Sequence, residues 1–422
     1  MLRKYFYIIL LLFCISNITY AQLCSGSLGD PVVKLDFGSG TSTHGTALGS
    51  SITSYTYSSA DFPNDGSYTI ESRTNTPNTW WTTTDHTGGG YMMVVNASAS
   101  VTDYFYKNTV TGLCANTTYE FAAWIMNLLR SQDNSTPNIT FTIEKTDGTI
   151  LESYNTGDIP LASSAQWKQF GFFFQTPTGV DTVIIRMRNN KVGAMPGNDI
   201  ALDDITFRPC GPTVTSELAS NSSTSIQVCE GQATSYALSG QIVTSGVYSN
   251  AAYQWQVSTD SGTTWTDIAG ATTTSYTATP QTAGVYMYRL STAESVNISS
   301  ATCRVASNII TLTINDAPDA PVATATPTQC GTATGGITIS SPTGATYSID
   351  GVNYQSSATF SNLAEANYNV TAKNTTTGCV SAITVVHVTV GSGVPNAPTF
   401  VATAPANCAT PNGSITITDS AA

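Results

Sequence analysis

Between Val32 and Phe207 the chain is a succession of short apolar or aromatic runs, each cut by Gly, Asn, Asp or Pro. The runs are Val32–Phe37, Ser67–Ile70, Tyr91–Val95, Tyr104–Val110, Thr118–Met126, Ile139–Glu144, Trp167–Gln175, Thr182–Met187 and Ile200–Phe207. Segments of this length, separated by turn residues, have the signature of strands, and none is long enough for an amphipathic helix. The fold class is therefore all-β, with an N-terminal jelly-roll sandwich. Only 10% of the residues are charged, a usage that suits extracellular sheet proteins better than helical cytosolic enzymes. A chain of 422 residues allows about three domains.

Residues 1–21 read as a secretory signal. Arg3 and Lys4 form the basic start, Tyr5 to Cys14 the apolar stretch, and Thr19-Tyr20-Ala21 a small-residue cleavage site. That stretch is short for a transmembrane span, and no later segment spans a membrane by hydrophobicity. The formal charge of −12 comes from 15 basic and 27 acidic residues. No basic stripe exists to neutralise phosphates, which argues against nucleic acid as a partner. Beyond the signal, Cys24, Cys114, Cys210, Cys229, Cys303, Cys330, Cys379 and Cys408 are scattered, with no Cys-x-x-Cys pair. Disulfides are the expectation for such cysteines in an exported chain.

The first unit, 22–212, is bracketed by Cys24 and Cys210, which are expected to pair; Cys24–Cys114 and Cys114–Cys210 remain alternatives. Its closing run contains two adjacent acids, Asp203 and Asp204. Strict alternation puts Ile200, Leu202 and Asp204 on one face and Ala201, Asp203, Ile205 and Phe207 on the other. Either way a carboxylate falls among apolar neighbours and needs a hydrogen bond, a partner or a metal. Thr84-Asp85-His86-Thr87-Gly88-Gly89-Gly90-Tyr91-Met92 resembles a signature of MAM domains, and Ile200-Ala201-Leu202-Asp203-Asp204-Ile205 with Cys210 resembles their closing motif. Leu35-Asp36-Phe37 resembles their opening motif, with Gly38 in place of the usual Glu and no preceding Cys. The resemblance implies an adhesive extracellular jelly roll, related in architecture to carbohydrate-binding modules, some of which hold structural calcium. The expected calcium ligands are Asp36, Asp85, Asp203 and Asp204, because calcium gathers hard oxygens from distant segments. The alternative is hydrogen bonding or pairing of the buried acid, with Arg73, Arg186 or Arg188 as partners.

The second unit, 213–316, carries Cys229, Tyr253-Gln254-Trp255-Gln256, Trp265, Thr282-Ala283-Gly284-Val285-Tyr286 and Cys303. This order resembles an immunoglobulin-like sandwich of the kind repeated in large bacterial surface proteins. Tyr288 stands where the second cysteine of such a domain falls, so Cys303 is the expected partner of Cys229, a closure that stabilises by roughly 2–4 kcal/mol. Trp255 and Trp265 are expected in the core. The third unit, 317–394, holds Cys330 and Cys379, which are expected to pair, and an Asp350-Gly351 turn. Residues 395–422 begin it again: Pro405, Cys408 and Ile415-Thr416-Ile417 repeat Pro327, Cys330 and Ile337-Thr338-Ile339 at one constant offset. Tyr347-Ser348-Ile349-Asp350-Gly351 and Tyr368-Asn369-Val370-Thr371 resemble repeats of gliding-motility adhesins exported by type IX secretion. Cys408 has no partner in sight, so further copies of the repeat are expected to follow in the same polypeptide. Tandem copies make a stalk.

Of the adjacent Trp80 and Trp81, one is expected in the core and the other at the surface, where a ring beside Asn75, Asn78 and Thr82–Thr84 can stack on a sugar. Trp124, Trp167 and Phe172–Phe174 are expected in the core, and His86 as a structural loop residue. Catalysis is not expected. There are three histidines, His44, His86 and His387, neither His-Glu-x-x-His nor Gly-x-Ser-x-Gly occurs, and Glu144 lacks a second acid on its strand of the kind a glycosidase needs. The expected function is non-catalytic adhesion or carbohydrate binding at a bacterial surface. Its partner would be an extracellular glycan or a surface protein, with calcium as structural cofactor. An accessory region of an extracellular polysaccharide-degrading or proteolytic enzyme, and a purely structural surface protein, are the alternatives.

Overall fold

A computed structural model describes residues 23–75, 79–131, 136–191, 197–232, 235–244, 246–329, 334–391, 398–406, 409 and 411–418. The signal segment, Asn78, Cys330 and Cys408 lie outside the described residues, but Cys379 is described and is bonded to Cys229, so the expected Cys330–Cys379 pair does not form. Among the described residues no helix is long and apolar enough to cross a membrane.

The first unit is a two-sheet sandwich of β1 (Val33–Leu35), β2 (Thr56–Tyr57), β3 (Ser67–Glu71), β4 (Met92–Asn96), β5 (Tyr106–Thr111), β6 (Thr118–Asn127), β7 (Asn138–Glu144), β8 (Ile150–Asp158), β9 (Lys168–Gln175), β10 (Thr182–Asn189) and β11 (Ile200–Pro209). Seven strands form one sheet in the order β2-β3-β4-β11-β6-β9, with β1 paired to β11; β5-β10-β7-β8 form the other. The sequence had not marked β2 or β8. β8 is an edge strand with mostly exposed side chains, so it needs no apolar alternation. The main core lies between the sheets, where Phe121 meets Phe141 and Phe207 edge-on at 5.2 and 6.2 Å.

β11 departs from strict alternation. Ile200, Leu202, Ile205 and Phe207 all enter the same core. Its pairing with β6 slips between Asp203 and Thr206, and Asp204 takes a left-handed φ of 46°. This bulge resets the phase by one residue. Before it β11 pairs with β4, after it with β1. Ala201 and Asp203 are left on the outer face of the sheet.

The second unit comprises β12 (Val214–Leu218), β13 (Ser225–Cys229), β14 (Tyr236–Ile242), β15 (Ala251–Ser258), β16 (Thr266–Asp267), β17 (Ser275–Ala278), β18 (Gly284–Glu294), a 3-10 turn (Ala301–Cys303), β19 (Val305–Ala306) and β20 (Ile310–Asn315). Its sheets, β12-β14-β17 and β13-β20-β18-β15-β16 with β19 on β18, enclose Trp255, Tyr288 and Leu290. Trp265 is half-buried, not in the core; the Arg289 guanidinium sits 4.2 Å over its ring. The third unit, β21 (Val322–Thr326), β22 (Gly335–Ser341), β23 (Thr346–Ser348), β24 (Thr359–Leu363), β25 (Ala366–Lys373) and β26 (Thr384–Val388), packs β21-β22-β24 on β23-β25-β26 around Ile337, Val370 and Val388. β27 (Phe400–Thr403) and β28 (Ser414–Ile417) then repeat the β21-β22 pairing as an antiparallel hairpin.

The disulfides correct the expected pairing. Cys24 joins Cys210 within the first unit, whereas Cys114 joins Cys303 and Cys229 joins Cys379. Cys229 and Cys303 belong to opposite ends of one sheet. Cys229 ends β13 beside Asn315, which follows the residue opposite Gly284, while Cys303 leads into β19, opposite Thr292. Eight residues of β18 separate those ends, about 26 Å at strand rise. Cys303 instead faces the first unit, where Tyr119 Oη donates to Thr302 O (3.2 Å) and Asn297 Nδ2 to Ala115 O (3.0 Å). The buried Arg289 crosses the same seam to Asp30. Each cross-unit disulfide fixes one sandwich against the next.

Candidate functional site

The outer face of the seven-stranded sheet is covered by loops, not by a second sheet. Beneath them lies a smaller apolar cluster of Trp80, Met92, Val94, Met126, Leu128, Leu129 and Ala201, with Leu161 and Trp167 packed against it. Trp80 is 0% exposed. Its Nε1 donates to Asp199 Oδ2 at 3.0 Å and its ring packs 4.3 Å from Phe62. It is a core residue and is excluded as a stacking platform. Trp81 is half-buried, with the Arg130 guanidinium 5.2 Å over its ring, a cation–π contact that occupies one ring face.

The rings open to solvent together lie elsewhere. Trp124, on β6, and Trp167, just before β9, are half-buried on this outer face. Both had been expected in the core; the sheet is apolar on both sides, and the loops over its outer side leave these two rings partly open. The His86 ring stacks on Trp124 at 3.8 Å and meets Trp167 edge-on at 6.1 Å. Asp204 Oδ2 lies 2.7 Å from His86 Nδ1 and fixes the imidazole. The bulge places this carboxylate: with φ at 46°, Asp204 leaves the strand alternation and reaches His86. Beside Trp167, a cavity of about 110 Å³ is lined by Asn127, Ile159, Leu161, Gln166 and Lys168.

The acids around this ring patch are wired to donors. Asp203 Oδ2 accepts His86 N–H (2.9 Å) and Asp203 Oδ1 accepts Asp204 N–H (2.8 Å). Burial nonetheless pushes its carboxyl up to about 7. Asp85 accepts the Thr87 hydroxyl (3.0 Å) and the N–H groups of Gly88 (3.0 Å) and Gly89 (2.9 Å). Burial raises the Asp85 carboxyl, but those donors outweigh it and hold the group below its ordinary value. Asp36 stays at the surface, accepts Gly38 N–H at 3.2 Å and pairs with Lys34 at 3.4 Å. Structural calcium had been expected at Asp36, Asp85, Asp203 and Asp204. Their oxygens face N–H and O–H donors, and among the described residues these four form no group of three convergent ligating side chains. Arg186 and Arg188, considered as partners for the closing-strand acids, pair with Glu144 at 2.8 and 3.5 Å.

A buried acid that the sequence reading missed stands at the other flank of the same face. Glu71, at the end of β3, is 0% exposed, and neither carboxylate oxygen has a hydrogen-bond partner. Burial, with a contribution from Asp61, pushes it up to about 8. The expected run stopped at Ile70, one residue short, and an acid alternating with Tyr68 and Ile70 reads as solvent-facing.

Residues 218–316 match the profile of a domain of unknown function (DUF8696). A comparison with curated proteins finds no match in sequence. Among solved structures, the chain is similar to the enzymatically active domain of Bacteriophage CBA120 tailspike protein 4 (14% identity, 34% of this chain, TM-score 0.22), and spans only 18% of that chain's length. It is also similar to the CBM22-1 xylan-binding domain of Paenibacillus barcinonensis Xyn10C (12% identity, 44% of this chain and 97% of that one, TM-score 0.25). A third is the FN1-FN3 domains of chicken CNTN1 (10% identity, 67% and 97% covered, TM-score 0.21).

Proposed function

We propose that the protein is a non-catalytic, exported glycan-binding protein whose first unit carries the binding surface and whose later sandwiches hold that surface away from its anchor. The observation that carries this reading is the patch of Trp124, Trp167 and His86, two half-buried indoles around an imidazole stacked on one of them and fixed by Asp204. Aromatic rings held in place, with polar groups at their margin, suit the apolar faces and hydroxyls of a sugar. Exposed Thr87, Gln166 and Lys168 supply such groups beside the rings. The prior candidates Trp80 and Trp81 yield this role to Trp124 and Trp167.

The cross-unit disulfides support the stalk part of the reading. Cys114–Cys303 and Cys229–Cys379 restrict bending at both junctions, and they fit an oxidising, extracellular setting. Attachment to a bacterial surface, and repetition of the third unit in a longer stalk, follow from the adhesin-like repeats. Many copies of a weak site would then act through avidity.

The test is a glycan array with the full chain, followed by titration of the strongest hit against Trp124→Ala, Trp167→Ala and Trp81→Ala. Loss of binding in the first two, with Trp81→Ala unaffected, is the expected outcome. Binding unchanged in both Trp124→Ala and Trp167→Ala, with the fold intact, would contradict the assignment.

A further inference from the structure

The loop before β2 is sewn onto β3. Ser72 N–H donates to Thr43 O at 3.0 Å, Gly45 N–H to Ile70 O at 2.8 Å, and Tyr57 Oη to Gly45 O at 2.7 Å. Gly45 must be small here, because a Cβ would lie 2.7 Å from Ile70 Cγ2. The seam holds His44 directly opposite Glu71. His44 Nε2 lies 3.3 Å from Asp61 Oδ1 and 3.8 Å from Glu71 Oε2. None of these approaches is a hydrogen bond: His44 Nε2 and both Glu71 oxygens are buried without a partner. Two oxygens and a nitrogen buried without partners, on one flank of the sheet's outer face, leave a polar demand that the chain itself does not meet.

We infer that His44, Asp61 and Glu71 bind a divalent transition cation of the zinc class, tying the 41–62 loop to β3. The three ligand atoms lie within 4.8 Å of one another. An ion with bonds of about 2.0–2.2 Å in a tetrahedral site spans ligand pairs roughly 3.3–3.6 Å apart, so the two separations from His44 Nε2, 3.3 and 3.8 Å, need only a few tenths of an ångström of adjustment. An imidazole with two carboxylates suits zinc and its neighbours. Calcium and magnesium are disfavoured because they demand more ligands, all oxygen. The half-exposed Asp61 leaves one side of the ion to water, and the fully buried Glu71 anchors the other. This ion is distinct from the calcium expected at Asp36, Asp85, Asp203 and Asp204.

The experiment is calorimetric titration of ZnCl2, and separately CaCl2, into the chelator-treated full chain and its Glu71→Gln and His44→Ala variants, with thermal unfolding read in parallel. The chain has only three histidines, which keeps background zinc binding low. Expected are one equivalent of zinc bound to the wild type, a rise in its Tm with zinc, and loss of both in each variant. Glu71→Gln keeps side-chain volume and removes a buried charge, so its fold is the control, verified by circular dichroism. Undiminished zinc binding in Glu71→Gln and His44→Ala, no zinc binding to the wild type, or calcium binding as tight as zinc would overturn the inference. Cobalt substitution adds an independent readout: tetrahedral visible bands in the wild type that Glu71→Gln lacks support the site, and identical spectra in both contradict it.

Discussion

The two flanks of one sheet face treat buried acids in opposite ways. At the β11 flank, the oxygens of Asp203 and Asp85 accept backbone N–H groups or a hydroxyl, and Asp204 grips His86. At the β3 flank, Glu71 is as deeply buried and accepts nothing. A carboxylate surrounded by donors is finished: it stiffens the loop that supplies them and holds the His86–Trp124–Trp167 patch in one arrangement. A fully buried carboxylate without donors leaves the chain's own polar groups unsatisfied and points to a ligand from outside. Between the flanks stands Asp199, buried beside Trp80 with two N–H donors, from Trp80 and Ala97, at 3.0 Å each.

That contrast can be broken by pH. Burial pushes Asp199 up to about 7, against an ordinary 3.8, while its two donors pull the other way. A folded-state pKa above the unfolded one means that the folded chain binds more protons between those values. The resulting stability is fully present below about 4 and is lost as pH rises through about 7. Wild type should therefore lose at most about 4 kcal/mol of stability over that interval through this group. Denaturant unfolding from pH 4 to pH 8 should show a steeper fall in wild type than in Asp199→Asn, and equal slopes would refute the assignment.

Removing a finished acid should do more harm than removing an unfinished one. Asp203→Ala removes a buried acceptor and strands two partly buried N–H groups, at His86 and Asp204, and should destabilise by about 3 kcal/mol. Glu71→Met, measured with chelator present, replaces an unpaired buried carboxyl with an apolar side chain of similar length and should stabilise by about 1–2 kcal/mol. If Glu71→Met destabilises as Asp203→Ala does, the distinction between the flanks fails. The smallest change is Asp204→Asn, half-buried and bonded only to a partly exposed His86. It should cost under about 1 kcal/mol of stability while weakening glycan binding, since its task is to orient the ring.

Much of this architecture was legible in the sequence because strand pairing leaves a period of two. The sandwich class follows from the spacing of the runs; Cys24–Cys210 was the favoured of three pairings left open, and Trp255 in the second core came with the immunoglobulin-like resemblance. The bulge at Asp204 was not legible, because a one-residue slip leaves composition unchanged and becomes visible only against β6. The cross-unit disulfides depend on how sandwiches dock, which spacing within each unit does not encode. Of the candidate site, His86 and the acid pair were singled out, but Trp124 and Trp167 were assigned to the core since nothing local distinguishes the closed side of an apolar sheet from the open one. His44, Asp61 and Glu71 come from a loop and a strand end, joined only by the seam onto β3.

The ring patch is the claim on which the functional account rests, and tryptophan fluorescence during titration with an array-selected oligosaccharide tests it most directly. The account predicts a saturable change in wild type that Trp124→Ala weakens by about 2 kcal/mol, roughly thirtyfold in Kd, with Trp81→Ala matching wild type. Equal affinity in wild type and Trp124→Ala, or loss confined to Trp81→Ala, would contradict it.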